Sequence, residues 1–265
     1  MVTEILWGLG ATIIVAVLAW RLRALDVSGA IAAVIVGTTT FGIGGLGPSV
    51  ALIAFFLSGS ILSALPQKKE ILIADESQGR NWKQVMANGG LPAFVIFAAR
   101  FFPSIEIAAF HFYYGVIAAS AADSWATELG TRYGTNARDI LTGRNIKAAM
   151  SGGVSVFGTL SSFAGAIFIA LACLLPFSSN LASFRVFVAI ITGGFLGATL
   201  DSVLGSSVQA VYWCDGCKCT VETPKHCTRP AVLIKGYSRI TNNAVNFVSS
   251  GIGGLFVAAL LDFAR

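Results

Sequence analysis

The sequence predicts an all-α protein, a polytopic membrane bundle of about eight transmembrane helices that forms one integral membrane domain over residues 1–265. Three observations predict it. Hydrophobic residues make up 55% of the chain and charged residues only 12%, where soluble domains carry about 25% charged residues; the mean hydropathy is +0.76. Apolar runs of the roughly 20 residues that a helix needs to cross a bilayer recur along the chain. The basic residues fall in alternate loops, as they do when successive spans run in opposite directions.

The predicted spans are 4–20, 28–46, 48–65, 85–102, 107–130, 153–175, 184–208 and 244–262. The first apolar run, Ile5 to Trp20, has no basic segment before it and no small-residue cleavage site after it, so it reads as a retained span. The 29 glycines suit helices that pack closely in lipid. Arg21 and Arg23 follow the first span, and Lys68, Lys69, Arg80 and Lys83 the third. Arg132, Arg138, Arg144 and Lys147 follow the fifth, and Lys218, Lys225, Arg229, Lys235 and Arg239 the seventh. Only Arg100, Arg185 and Arg265 of the 18 Lys and Arg lie on the other side. The positive-inside rule therefore puts the four basic loops on the cytoplasmic or stromal side and both termini opposite.

Polar residues gather at the same face. In AASAADSWATELG, Ser120, Asp123, Ser124, Thr127 and Glu128 recur at spacings of three and four, which is one stripe on the inner end of the fifth span. LDSVLGSSVQ repeats the pattern on the seventh span with Asp201, Ser202, Ser206 and Gln209. The shared Asp-Ser step fits either a distant internal duplication or parallel use of one chemistry. The even spans open on this side with polar turns: Asp26 and Ser28; Asn81 and Asn88 in GRNWKQVMANGGLP; Ser151, Gly152, Gly153 and Ser155 in SGGVSVFGTLSS; and Asn242, Asn243 and Asn246 in ITNNAVNF. A polar cavity open to the basic face explains the set. Hydroxyls and amides alone can serve helix packing at about 0.6 kcal/mol each. An Asp at mid-bilayer costs about 2.5–3.5 kcal/mol, which makes Asp123 and Asp201 functional candidates, with Glu128 nearer the surface.

Carboxylates, amides and hydroxyls are hard oxygen ligands that suit Mg²⁺ held by one or two carboxylates plus substrate phosphates. Arg and Lys in the adjoining loops can clamp phosphate oxygens, and a Gly-rich helix start at Ser151–Ser155 would offer backbone N–H groups to an anion. These are the parts of phosphoryl or nucleotidyl transfer. No GxxxxGK[ST] loop is present. Of the two histidines, His111 reads as an interfacial residue on the far side and His226 sits among cysteines. The many neutralising groups and the lack of an evident general base favour a phosphate monoester, already anionic, over an alcohol as acceptor.

GRNWKQVMANGG, AADSWATELG, SGGVSVFGTLSS, LDSVLGSSVQ and TNNAVNF, in this order, resemble the membrane family that includes plant and cyanobacterial phytyl-phosphate kinases and vertebrate multi-span relatives. The resemblance runs from about Asp26 to Ser250, and WCDGCKCTVETPKHC is similar to the photosynthetic branch. It implies a cyanobacterial or chloroplast membrane and transfer of the γ-phosphate of CTP or another NTP to phytyl phosphate or a related prenyl phosphate. The product would be a diphosphate precursor of tocopherol and phylloquinone. The partners are then a prenyl-phosphate lipid, a nucleoside triphosphate and the membrane, with no nucleic acid. The motif positions are Asn81, Asn88, Asp123, Glu128, Gly152, Gly153, Asp201, Asn242, Asn243 and Asn246. On this reading Asp123, Glu128 and Asp201 hold Mg²⁺ and Asn88 and Asn243 align metal and phosphate. Arg80, Asn81, Lys83, Ser124, Arg132, Arg144, Lys147, Gly152, Gly153, Ser155, Ser202, Asn242 and Asn246 bind substrate. A membrane cytidylyltransferase and a cation-coupled transporter are the competing readings.

The inner loop 209–243 carries Cys214, Cys217, Cys219, His226 and Cys227. On a reducing side disulfides are disfavoured. Cys-x₂-Cys is a common half of a Zn²⁺ site, and Cys214, Cys217, His226 and Cys227 are the candidate ligands. A thiol-bearing loop without metal and a redox-regulated one are the alternatives. Cys173, inside an apolar span, reads as packing.

Overall fold

A computed structural model describes residues 2–66, 79–147, 150–174 and 184–262. Lys68, Lys69 and Arg265 lie outside the described residues. Seven helices among the described residues are long and apolar enough to cross a membrane, and the predicted fourth span is present as a broken helix. Each of the eight predicted spans holds a helix among the described residues.

The first three helices are α1 (Val2–Arg21), α2 (Val27–Thr39) and α3 (Leu46–Ala64). Thr12, within apolar α1, satisfies its hydroxyl on the Gly8 carbonyl at 2.8 Å and pairs with Thr38 Oγ1 at 3.0 Å, which ties α1 to α2. Asp26 is the N-cap of α2: its Oδ1 accepts from Gly29 N at 2.6 Å and from Ser28 Oγ at 2.7 Å. These bonds hold the carboxyl below its ordinary range. The polar turn read at the start of the second span is therefore a capping device.

The fourth span starts at α4 (Trp82–Val85), widens into a π-helical turn at Met86–Gly90 and continues as α5 (Leu91–Ala99). Such turns insert a residue into the ladder and are frequent at functional sites. This one places Asn88 toward the bundle interior.

Helix α6 (Glu106–Tyr133) is the axis of the bundle. Its residues from His111 to Ala122 are buried all round, as a central helix requires. At ~1.5 Å per residue its 28 residues reach about 42 Å, more than the ~30 Å hydrocarbon layer, so its polar end stands at the basic face. Helices α7 (Val156–Leu174), α8 (Phe184–Ser207) and α9 (Asn242–Asp262) pack around it.

Glycines set how closely α6, α8 and α9 approach. A Cβ on Gly197 would stand 2.5 Å from Ala119 Cβ and 3.1 Å from the Ser249 carbonyl; one on Gly253 would stand 2.7 Å from the Gly193 carbonyl. Ala119, Gly197 and Gly253 thus form one layer. One helical turn nearer the basic face, each helix presents its next residue on the same side: Asp123, Asp201 and Ser249. Sequence spacing and glycine packing together bring the polar groups level.

His111, read as interfacial, is instead 3% exposed, with Nδ1 3.4 Å from Asp262 Oδ1 near the end of α9. The pair joins α6 to α9 on the far side.

Between α6 and α7, short strands β1 (Arg138–Asp139) and β2 (Gly153–Val154) pair antiparallel. The Cys-rich loop between α8 and α9 folds into a small sheet of β3 (Val211–Cys214), β4 (Cys219–Val221) and β7 (Val232–Lys235), ordered β4-β3-β7. A second hairpin pairs β5 (Lys225–His226) with β6 (Arg229–Pro230).

Candidate functional site

The basic-side ends of the helices surround a cavity of about 1740 Å³. Ligand pockets commonly measure ~300–1,000 Å³, so this one has room for two substrates side by side. Its lining takes in Arg80, Lys83, Asn88, Asp123, Ser124, Glu128, Gly152, Gly153, Ser155, Asp201, Ser202, Asn242, Asn243 and Asn246 of the predicted residues.

Two acids occupy the cavity's inner end. Asp201 is 9% exposed, and its Oδ2 accepts from Ser249 Oγ at 2.8 Å. With its amide turned so that nitrogen donates, Asn246 bonds the same oxygen at 3.1 Å and the Asn242 carbonyl at 2.9 Å. Asp123 on α6 is close enough to Asp201 for their charges to interact. Neither carboxylate forms an ion pair with Lys or Arg among the described residues. Two partly desolvated like charges without a counter-ion repel one another, and an all-oxygen donor set of this kind fits Mg²⁺. Asn88 Nδ2 donates to the Gln84 carbonyl at 3.1 Å, which leaves its Oδ1 for the cavity.

Glu128 belongs to a different cluster. Its Oε1 accepts from Ser63 Oγ at 2.6 Å, its Oε2 lies 3.9 Å from Arg132 Nη1, and its charge acts on Arg80. Among the described residues the three predicted Mg²⁺ acids do not form one compact ligand group; Glu128 lies five residues nearer the surface and faces cations. Arg80 lies over the Phe55 ring, 5.9 Å from its centroid, and against Gly59.

Four predicted phosphate ligands point elsewhere. Arg132 is 6% exposed and donates to the Leu65 and Pro66 carbonyls at 2.6 and 2.9 Å, closing the C-terminal end of α3. Asn81 caps α4: its Oδ1 accepts from Lys83 N and Gln84 N, and Gln84 Oε1 accepts from Asn81 N. Arg144 and Lys147 are exposed and lie outside the cavity lining. Gly152 and Gly153 line the cavity, though not as a helix start. Helix α7 begins at Val156 with Ser155 as its cap, accepting from Gly158 N at 3.1 Å. Gly152 has φ +84° and lies against Ser206, where a side chain would clash.

Asp139 pins this loop to α8. Its Oδ1 accepts from Leu141 N, Thr142 N and Thr142 Oγ1, and its Oδ2 from Ser206 Oγ at 2.6 Å. Those bonds, led by Ser206, pull its pKa down to about 2.

Glu222 was missed by sequence reasoning. It follows β4, lines the cavity mouth, and accepts from Ser151 N at 2.9 Å and Gln209 Nε2 at 2.8 Å. It is also near enough to act on Asp201. Its signal was an acid at the end of a β-branched run inside the Cys-rich loop. Ser162, buried on α7 and also lining the cavity, was legible only in the tail of SGGVSVFGTLSS.

A helical bundle that gathers acids, amides and hydroxyls in a large cavity at its basic face defines an integral membrane protein with a polar chamber open on that side. The chain belongs to the family described as Integral membrane protein DUF92, which matches residues 10–254. It is 27% identical over 259 residues to "Protein PGR" of Arabidopsis thaliana, covering 89% of this chain and 88% of that protein. It is 27% identical over 197 residues to "Uncharacterized membrane protein MJ0933" of Methanocaldococcus jannaschii, covering 73% and 78%. It is 27% identical over 164 residues to "Uncharacterized membrane protein sll0875" of Synechocystis sp., covering 60% and 62%. No solved structure matches.

Proposed function

We propose that this protein is a membrane kinase that transfers the γ-phosphate of CTP or another NTP to phytyl phosphate or a related prenyl phosphate, giving the diphosphate. The observation that carries this reading is the pair Asp123 and Asp201, without a cationic partner among the described residues, in a cavity with room for a nucleotide and a lipid head group. These two carboxylates would hold Mg²⁺, which when bound neutralises phosphate charge and orients the transferred group. Asn246 and Ser249 keep the Asp201 carboxylate turned toward the cavity. Arg80, braced by Glu128, and Lys83 at the mouth supply positive charge to the phosphates. An acceptor phosphate needs alignment and charge neutralisation more than a base, and no histidine lines the cavity among the described residues.

Trp82, Met86 and Leu91 of the broken span, with Phe247 and Val248 of α9, make part of the lining apolar. Of these, Trp82, Met86, Phe247 and Val248 are also exposed on the molecule's surface. That combination suits a prenyl tail lying in lipid while its phosphate enters the cavity. The layer of Ala119, Gly197 and Gly253 lies beneath the acids, which disfavours a path across the membrane and hence a transporter.

The test is a product assay on purified, reconstituted protein with labelled CTP and phytyl phosphate. Stoichiometric nucleoside diphosphate and a prenyl diphosphate are expected. Release of pyrophosphate would replace the kinase with a cytidylyltransferase, and absence of turnover with every prenyl phosphate and nucleotide supplied would overturn the catalytic reading.

A further inference from the structure

The Cys-rich knuckle is built from two tight turns. The β3–β4 turn carries Cys214, Cys217 and Cys219, and the β5–β6 turn carries His226 and Cys227. Lys218, Cys227 and Thr228 hold left-handed backbone, with φ of 53°, 49° and 61°, so both turns curl tightly. The result converges four donors. The thiols of Cys214, Cys217 and Cys227 and a ring nitrogen of His226 all lie within 4.8 Å of one another. His226 Nδ1 is 3.3 Å from both Cys217 Sγ and Cys227 Sγ.

We infer that Cys214, Cys217, His226 and Cys227 form a structural zinc site. A tetrahedral ion with Zn–S of ~2.3 Å and Zn–N of ~2.0–2.1 Å would set its donors roughly 3.6–3.8 Å apart, close to the observed spacing. Three thiolates and one imidazole select zinc over hard oxygen-seeking cations. Four protein donors leave no open position, so the ion organises the fold and takes no part in hydrolysis or phosphate binding. Cys219 is left out of the set: its Sγ is 2.9 Å from Cys217 Sγ, but it is not among the four donors that all lie within 4.8 Å of one another.

The site has a purpose beyond the knuckle. Cys219 opens β4, and three residues on stands Glu222, which grips Ser151 and Gln209 at the cavity mouth. A metal that fixes the β3–β4 turn therefore fixes one wall of the cavity. This assignment is independent of the kinase reading, since it requires only the donor geometry.

The experiment is elemental analysis of the full-length protein, purified with reductant, without a polyhistidine tag and from zinc-replete cells. About one zinc per chain is expected. Cys217→Ser and Cys227→Ser should lower bound zinc at least about fivefold, while Cys219→Ser keeps it. Where a variant does not fold, native alkylation of wild type followed by intact mass replaces it: chelation should expose three additional reactive thiols. Zinc-free wild type, a Cys217–Cys219 disulfide in the reduced preparation, or loss of metal in Cys219→Ser as large as in Cys217→Ser would each overturn the assignment.

Discussion

The two halves of α6 obey different rules. From His111 to Ala122 the helix is buried on every side, against glycines and small residues, with His111 paired to Asp262 and the Tyr113 hydroxyl donating to the Pro48 carbonyl. From Asp123 to Tyr133 the same helix runs half-buried along a cavity with acids and hydroxyls facing it. The first half shows how a membrane helix satisfies its neighbours. The second holds acids and hydroxyls along an open cavity, the arrangement on which the proposed function rests.

The sharpest way to break the comparison is to neutralise an open acid. Under the proposed function, Asp123→Asn and Asp201→Asn should each cut phosphoryl transfer by at least about 10²–10³-fold, the scale on which active-site electrostatic groups act, while the protein inserts and purifies normally. Full activity in either would assign both carboxylates to packing. Next come the two arginines near Glu128. Arg80→Ala should lower kcat/KM by about tenfold or more with little change in melting temperature. Arg132→Ala should do the opposite and cost about 1.5–3 kcal/mol, because it leaves the Leu65 and Pro66 carbonyls without their charged donor. If both variants behaved alike, Glu128 and its cations would be one functional unit.

Gly197→Ala probes the seam between the halves. Its Cβ would meet Ala119 at 2.5 Å, and overpacking of this kind costs about 1–3 kcal/mol. Because Asp201 stands one turn away, activity should fall further than stability does, as activity and thermal scans on one preparation would show.

The smallest effect contrasts Asp123 with a fully bonded acid. Asp139 titrates at about 2, below its ordinary 3.8, so its contribution to stability is complete above about pH 4 and is lost as pH falls through 2. Ser206→Ala removes the leading bond. Its melting-temperature deficit should be constant from neutral pH to about pH 4 and shrink between pH 4 and 2. A deficit that persists at pH 2 would mean that Ser206 acts by packing.

Most of the bundle was legible because lipid imposes length and charge asymmetry on every span. Asp123 and Asp201 were legible because acids at that depth need a reason. The misreadings share a cause: local hydrogen bonding uses the same residue types as ligand binding. Asn81 and Asp26 cap helices, and Arg132 closes one. Gly152 is glycine because Ser206 leaves no room. Glu128, read as nearer the surface yet grouped with the deeper acids as a metal ligand, stands five residues or about 7.5 Å along the helix from Asp123 and bonds Ser63 instead. The β-sheet of the inner loop is written in the β-branched and aromatic residues of VYWC, CTV and VLIK, but without the polar-apolar alternation that marks a strand, so neither the strands nor Glu222 stood out from the cysteines.

The glycine floor has one more consequence under the proposed function. A chamber shut at its base deals with one leaflet and one aqueous compartment only. Prenyl phosphate delivered to the opposite monolayer is invisible to it until another agent flips the lipid, and the diphosphate is discharged into the monolayer that supplied the substrate. The direction in which the chain inserts thus decides which pool of lipid it consumes.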